Sequence, residues 1–154
     1  MSLYNKVIKK LIENNVTVAT AESCTGGLLA HTFTKNSGVS KIYKTGIICY
    51  SNSSKIKNLG ISSLIINKFG AVSAEVAKYM VNKLQKKEKS SLCISTTGIA
   101  GPNGATRKKP IGLVYIGIKY NSKTYIFKKI FIGSRLQIQK NTVKFIFITL
   151  KKLI

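Results

Sequence analysis

Three short apolar segments, residues 16–20, 46–50 and 92–95, each run directly into a stretch of small and hydroxylated residues. Short apolar runs bounded by turn-forming residues read as buried strands. Segments of helical character lie between them. Residues 2–14 form an amphipathic pattern with Leu3, Val7, Leu11 and Ile12 on one side. A Gly pair opens a helix over residues 27–34, and residues 51–59 turn into another. Ser73 reads as the N-cap of a helix through Ala77, Met80, Val81 and Leu84 that ends in the Lys-rich residues 86–89. Residues 112–120 and 124–132 alternate like a hairpin around Asn121-Ser122. Ser134 reads as the cap of a last helix to Leu153. Its run 143–150 is β-branched and aromatic enough to leave a strand open as the alternative.

This order predicts an α/β fold, a three-layer α/β/α single domain over residues 1–154 with a mixed sheet. A chain of 154 residues buries roughly 70% of its unfolded surface and needs no covalent staples. In such sheets the functional crevice lies beyond the carboxyl ends of the strands. Three loops belong there: residues 21–27, 50–55 and 96–104.

The ionisable inventory narrows the chemistry further. There is no Asp; the acids are Glu13, Glu22, Glu75 and Glu88, and the only His is His31. Hard cations need several oxygen ligands and zinc needs clustered His or Cys, so no metal site is expected. A Ser-His-Asp triad is impossible, and a glycosidase pair would need two of four scattered Glu. Cys24, Cys49 and Cys93 are odd in number and widely spaced, which argues against disulfides or a zinc ribbon. The chemistry left runs on Ser, Thr, Cys, Tyr, Lys and backbone amides.

The net charge of +22 suits nucleic acid, an anionic membrane or an anionic small substrate. Of 26 basic residues only Arg107 and Arg135 are arginine, so the other 24 are lysines, dispersed along the chain. Recognition of bases and phosphates favours the two-pronged arginine fork, and no RNP-type aromatic motif is present. A basic nucleic-acid-binding module is therefore the alternative rather than the expectation. No apolar run approaches the roughly 20 residues of a membrane span, and residues 1–15 have no signal-peptide core. No membrane association and a cytoplasmic location are expected.

Ala21-Glu22-Ser23-Cys24-Thr25-Gly26-Gly27 joins a strand to a helix, a turn in which amides can bind an anion or a developing oxyanion. Read alone, it is also an ordinary capping turn in which Ser23 or Thr25 satisfies orphan amides. Tyr50-Ser51-Asn52-Ser53-Ser54-Lys55 follows a buried strand. By spacing alone Lys55 is a solvated charge; held in a dry cleft it would be a general base, and Ser-Lys is the main nucleophile–base pair available here. The third segment, from Thr96-Thr97-Gly98 through Ile99-Ala100-Gly101-Pro102 to Asn103-Gly104, is a plain loop or one whose glycines admit a ligand.

Together these segments, with Gly70-Ala71-Val72-Ser73, Pro110-Ile111-Gly112 and Val114-Tyr115, resemble the signature of the CinA C-terminal domain family over roughly residues 5–150. Its stand-alone members are nicotinamide-nucleotide amidases; fused members carry an additional N-terminal domain. The resemblance implies hydrolysis of the carboxamide of nicotinamide mononucleotide to nicotinate mononucleotide and ammonia, with no metal or cofactor, in a homo-oligomer (a dimer or larger). The family's nucleophile falls on Ser23 and its lysine on Lys55. Tyr50, Thr97 and Arg135 fall on positions around the substrate, as do Thr25, Gly26, Gly27, Asn52, Gly98 and Gly101. The expected mechanism has Lys55 deprotonate Ser23, amides around residues 25–27 hold the oxyanion, and Arg135 with the 98–101 loop neutralise the phosphate. Cys24 is the rival nucleophile, in a Glu22-Lys55-Cys24 arrangement. The chain departs from the family pattern at Asn103, usually an acid; at Ser134, usually Asp; and at Gln139, usually basic. A member that binds nucleotides with weakened turnover is therefore a second alternative.

Overall fold

The computed structural model describes all 154 residues. Ser2 caps α1 (Leu3–Glu13) by accepting the Asn5 N–H, and Val7, Ile8 and Leu11 form its buried stripe. β1 (Val18–Glu22), α2 (Leu28–Thr34), a 3-10 turn (Val39–Lys41) and β2 (Tyr43–Ile48) follow. Then come α3 (Asn52–Leu59), α4 (Ser63–Phe69), α5 (Ala74–Glu88) and β3 (Leu92–Gly98). The hairpin β4 (Leu113–Tyr120) and β5 (Lys123–Ile130) leads to α6 (Arg135–Leu153).

The strands form one sheet in the order β2-β1-β3-β4-β5. β1 runs parallel to β2 and β3, whereas β4 is antiparallel to both β3 and β5, so the sheet is mixed as expected. β1 is buried on both faces, and its alternation divides it between two cores. Val18 joins the cluster formed with α1, α2 and α6, which includes Leu11, Phe33 and Phe147. Ala19 and Ala21 join the cluster under α3, α4 and α5, with Met80 and Leu84. The result is the three-layer α/β/α arrangement. From β1 the chain passes through α2 to β2 on one side, then through α3–α5 to β3 on the other. The carboxyl ends of β2, β1 and β3 thus lie together at a topological switch point.

One alternative closes and two local expectations change. Residues 143–150 are helical, as the reading of a last helix to Leu153 has it and not as the strand alternative would: Val143, Ile146, Phe147 and Leu150 are buried at helical spacing. Phe147 packs on Tyr4 and Phe33 at centroid distances of 4.9 and 5.0 Å, so tertiary packing overrides β-propensity. β2 begins at Tyr43 and ends at Ile48, which leaves Cys49 and Tyr50 in the following loop. Lys44, exposed on this edge strand, conceals the strand's first half in the sequence. Finally, α4 buries only Ile66, too little for a periodic stripe, and was not anticipated. No helix is long and apolar enough to cross a membrane.

Candidate active site

Ser23 is the first residue beyond β1, and its N–H donates to the Thr96 carbonyl of the neighbouring β3 at 3.0 Å. Lys55 stands on the first turn of α3, whose start is set by Ser51 accepting the Ser54 N–H. That cap aims the lysine back under the loop at the end of β2. Its Nζ lies 3.0 Å from Ser23 Oγ, 3.0 Å from the Cys49 carbonyl and 3.3 Å from the Tyr50 carbonyl. The side chain is only 1% exposed.

This lysine is not a solvated charge, and it has no counter-ion. The molecule's ion pair is Lys9–Glu13, far off on α1. Burial pushes the Lys55 ammonium below the usual lysine range, because desolvation penalises the charged form. A neutral amine fits the observed contacts well. Nζ donates to Ser23 Oγ and to the two carbonyls; without its third proton the amine keeps both carbonyl bonds and has a lone pair for the Ser23 hydroxyl. Ser23 Oγ also lies 3.4 Å from the Tyr50 carbonyl, which offers its proton a resting acceptor.

Cys24, by contrast, points into the core with Leu29 and Phe33 and is 5% exposed. Burial raises its thiol to about 12, so the thiolate is suppressed. The opposite facing of neighbouring side chains, expected for a segment leaving a strand, is what separates Ser23 from Cys24.

Glu22 has a different role from the one its place in a Glu-Lys-Cys arrangement would require. Its carboxylate is fully buried and accepts from the N–H groups of Leu29 and Ala30 at 2.8 and 3.0 Å and from the Thr25 hydroxyl at 2.7 Å. It therefore caps α2 from behind, where the helix dipole favours a negative charge. Gly27, with φ 101°, occupies the N-cap position and has no side chain to do so. Thr25, expected to cap the helix or meet the substrate, instead bonds Glu22 and Thr96 Oγ1, the latter at 2.8 Å. No periodicity or spacing in the sequence signals this buried network.

A cleft of about 230 Å³ opens beside Ser23 and Lys55, bounded by Tyr50, Thr97, Arg135 and the loop after β3. Asn52, Gly98, Gly101 and Asn103 also line it, whereas Thr25, Gly26 and Gly27 do not. Of the turn's N–H groups, that of Gly26 is committed to the Ser23 carbonyl at 3.1 Å, whereas those of Cys24, Thr25 and Gly27 have no protein acceptor. Thr97 donates to the Ala71 carbonyl at 2.7 Å, which ties the loop before α5 to β3. Tyr50 meets the dyad through its carbonyl; its ring is exposed, and its hydroxyl accepts from Arg135.

Arg135, at the first turn of α6, also donates to the Gly101 carbonyl at 2.6 Å and so links two loops across the cleft. Its backbone is held by a capping box: Ser134 accepts the Gln137 N–H, and the Gln137 side chain accepts the Ser134 N–H at 2.7 Å. Ser134 thus performs an N-cap role for which Asp is also suited. Gln139 donates to the Cys24 carbonyl at 2.9 Å. No three His, Cys, Asp or Glu side chains come together as a metal site. His31 is exposed on α2, and all three cysteines are free and buried.

Gly98, the last residue of β3, and Gly101 in the loop after it have packing reasons. A Cβ on Gly98 would lie 2.7 Å from the Leu113 carbonyl oxygen, and one on Gly101, where φ is +77°, would lie 2.7 Å from Ile111. Close approach here is to β4 and Ile111.

Comparison with known proteins agrees with this architecture. A CinA-like protein of Kosmotoga olearia is 44% identical over 144 residues, 94% of this chain and 35% of its own length. A Clostridium tetani relative bearing the name competence-damage inducible protein is 48% identical over 135 residues, 88% of this chain and 33% of its own length. The chain thus spans about a third of these relatives. The crystal structure of a CinA superfamily protein from Escherichia coli superposes with a TM-score of 0.93 at 28% identity, covering 99% of this chain and 88% of that one. The competence/damage inducible protein of Agrobacterium tumefaciens gives 0.93 at 31% identity, covering 98% and 93%. All of residues 1–154 match the CinA C-terminal domain, and the chain belongs to that family.

Proposed function

We propose that this chain is an amidohydrolase that converts nicotinamide mononucleotide and water to nicotinate mononucleotide and ammonia, with Ser23 as nucleophile and Lys55 as base. The observation that carries the reading is the buried Lys55 Nζ, 3.0 Å from Ser23 Oγ and without a carboxylate partner, at the floor of the cleft. A desolvated lysine beside a serine supplies the base that a chain with one exposed His and no Asp otherwise lacks.

Neutral Lys55 takes the Ser23 proton as Oγ attacks the carboxamide carbon. The resulting oxyanion accepts from the Cys24 N–H, the amide that follows the nucleophile. Collapse expels ammonia, which takes its third proton from the Lys55 ammonium. Water, deprotonated by Lys55, then releases the acid and regenerates Ser23. Arg135 uses two of its five N–H groups on Gly101 and Tyr50 and keeps three for the nucleotide phosphate. The N–H groups of Ala100 and Gly101 have no protein acceptor and face the same demand. Free cysteines favour a reducing compartment, and we place the reaction in the cytosol, in a homo-oligomer of the kind the family resemblance implies.

The test is ammonia release from nicotinamide mononucleotide by the purified protein, with nicotinate mononucleotide identified as the second product. No release over pH 6–10 would reject the reading.

A further inference from the structure

Cys24 carries an N–H, a side chain and a carbonyl, and the structure ties down two of the three. Its side chain is buried as part of the core cluster that includes Leu29 and Phe33, and its carbonyl accepts from Gln139 Nε2 at 2.9 Å. Only its N–H has no protein partner, and that N–H adjoins Ser23. On the preceding side, the Ser23 N–H is held by Thr96 and the Ser23 carbonyl by Gly26 N–H, at 3.0 and 3.1 Å. Thr25, on the following side, is fixed by Glu22 and Thr96. All of these ties come from β1, β3 or the turn itself except one. Gln139, 115 residues away on α6, is the external brace, and its own position follows from the capped start of that helix.

We propose that Gln139 is a positioning residue for the oxyanion site: by holding the Cys24 carbonyl it fixes the turn that presents the Cys24 N–H beside Ser23. The Cys24 carbonyl shares its peptide plane with the Thr25 N–H and joins the Ser23–Cys24 plane at the Cys24 Cα. A carbonyl free to swing therefore leaves the Cys24 N–H held from the Ser23 side alone, and a donor displaced by a fraction of an ångström stabilises a developing oxyanion poorly. Gln139 donates a neutral hydrogen bond through a side chain that reaches no reacting atom, so its effect falls on the chemical step and not on binding. The inference rests on Ser23 being the nucleophile proposed above.

The experiment compares the wild type with Gln139→Glu, Gln139→Ala and Gln139→Lys in two assays. One is steady-state ammonia release from nicotinamide mononucleotide. The other is the rate at which a fluorophosphonate labels Ser23, followed by mass spectrometry. In that step a Ser23 Oγ–P bond forms, the P–F bond breaks, fluoride leaves and the serine proton passes to Lys55. The phosphoryl oxygen occupies the oxyanion site without any need for the nucleotide. Glu presents only acceptors to the Cys24 carbonyl and Ala presents nothing, so both should lower kcat and the labelling rate. The loss should be about tenfold to 100-fold, below the 10²–10³ for deleting an oxyanion donor outright. KM should stay within about twofold, the signature of an interaction used only in the transition state. Lys restores a donor and should recover most of both rates. Unchanged labelling in Gln139→Glu, or Gln139→Lys as impaired as Gln139→Ala, would overturn the proposal. So would a wild type that fails to label at Ser23. The predicted labelling pattern without ammonia release would leave the positioning role standing and reject the amidase reading alone.

Discussion

Residues 23–27 and 98–104 lie at the carboxyl ends of the neighbouring strands β1 and β3, and both are dominated by small residues. The first is fastened at almost every position. Glu22, Thr25, Thr96 and Gln139 hold it by hydrogen bonds, and its rigidity places Ser23 3.0 Å from a buried lysine. The second has glycines because β4 and Ile111 press against it, and it meets the cleft mainly through backbone. A string of small residues at a strand end can therefore mean a stiff catalytic turn or a tightly packed wall. What separates the two is the polar network behind them, which depends on residues distant in sequence.

The strongest way to break this comparison is to remove the base. Lys55→Arg keeps a charge that cannot deprotonate near neutrality. Lys55→Met keeps the volume without the amine. Both should lower ammonia release by at least about 10³-fold, with the circular-dichroism spectrum preserved. In the wild type, burial favours the neutral amine, so kcat/KM should rise with pH through a value below the ordinary lysine pKa of about 10.4. The sign for stability is the same. Between the lowered folded pKa and about 10.4 the unfolded chain binds the extra proton, so stability rises with pH there, and Lys55→Met should flatten that rise.

Next in size is the fastening of the first turn. Glu22→Ala strips acceptors from the Leu29 and Ala30 N–H groups and from Thr25. Buried donors left unpaired cost about 1–3 kcal/mol each; with Thr25 able to turn to Thr96, the two orphaned N–H groups should cost about 2–6 kcal/mol in urea unfolding. Retained stability in that variant would mean the turn is held by packing alone. Arg135→Ala tests the opposite side of the cleft. Loss of a charge-assisted bond worth about 1.5–3 kcal/mol should raise KM roughly tenfold to 150-fold, with kcat changed far less. Equal turnover of nicotinamide and its mononucleotide by the wild type would contradict a phosphate role for this residue. The smallest effect should come from the second loop. Gly98→Ala forces a Cβ toward the Leu113 carbonyl and should cost about 1–3 kcal/mol of stability while leaving KM nearly unchanged. A large rise in KM would show that this glycine serves the ligand after all.

Much of the frame was legible in the sequence because local signals and burial agree there. Ser73 and Ser134 cap the helices they precede, and β1 overlaps the apolar run 16–20 but lies two residues further on, through Glu22. The hairpin turns at Asn121 and Ser122, between β4 and β5. The motif resemblance led to Ser23, Lys55 and Arg135, which the structure brings to one cleft. Less visible were features that exist only after folding. Glu22 looks like any strand-end acid until α2 folds back over its carboxylate. Lys55 is one lysine among 24 until α3 turns it under the loop. Gln139 and Ser134 stood out as departures from a family pattern, yet both are fully engaged, one on the Cys24 carbonyl and the other as a helix cap. Thr25, Gly26 and Gly27 illustrate the converse: they belong to the motif but not to the cleft lining.

The central claim is that Ser23, and not its neighbour Cys24, attacks with Lys55 as base. The most direct measurement is ammonia release by Ser23→Ala and Cys24→Ala in parallel, at matched protein concentration and with folding verified. Ser23→Ala should lose at least about 10⁴-fold in kcat, as expected when a nucleophile is removed from a unit that works together. Cys24→Ala should keep most of its turnover and lose only stability, about 1 kcal/mol for one buried sulfur exchanged for hydrogen. An inactive Cys24→Ala beside an active Ser23→Ala would contradict the account and make this protein a thiol amidase.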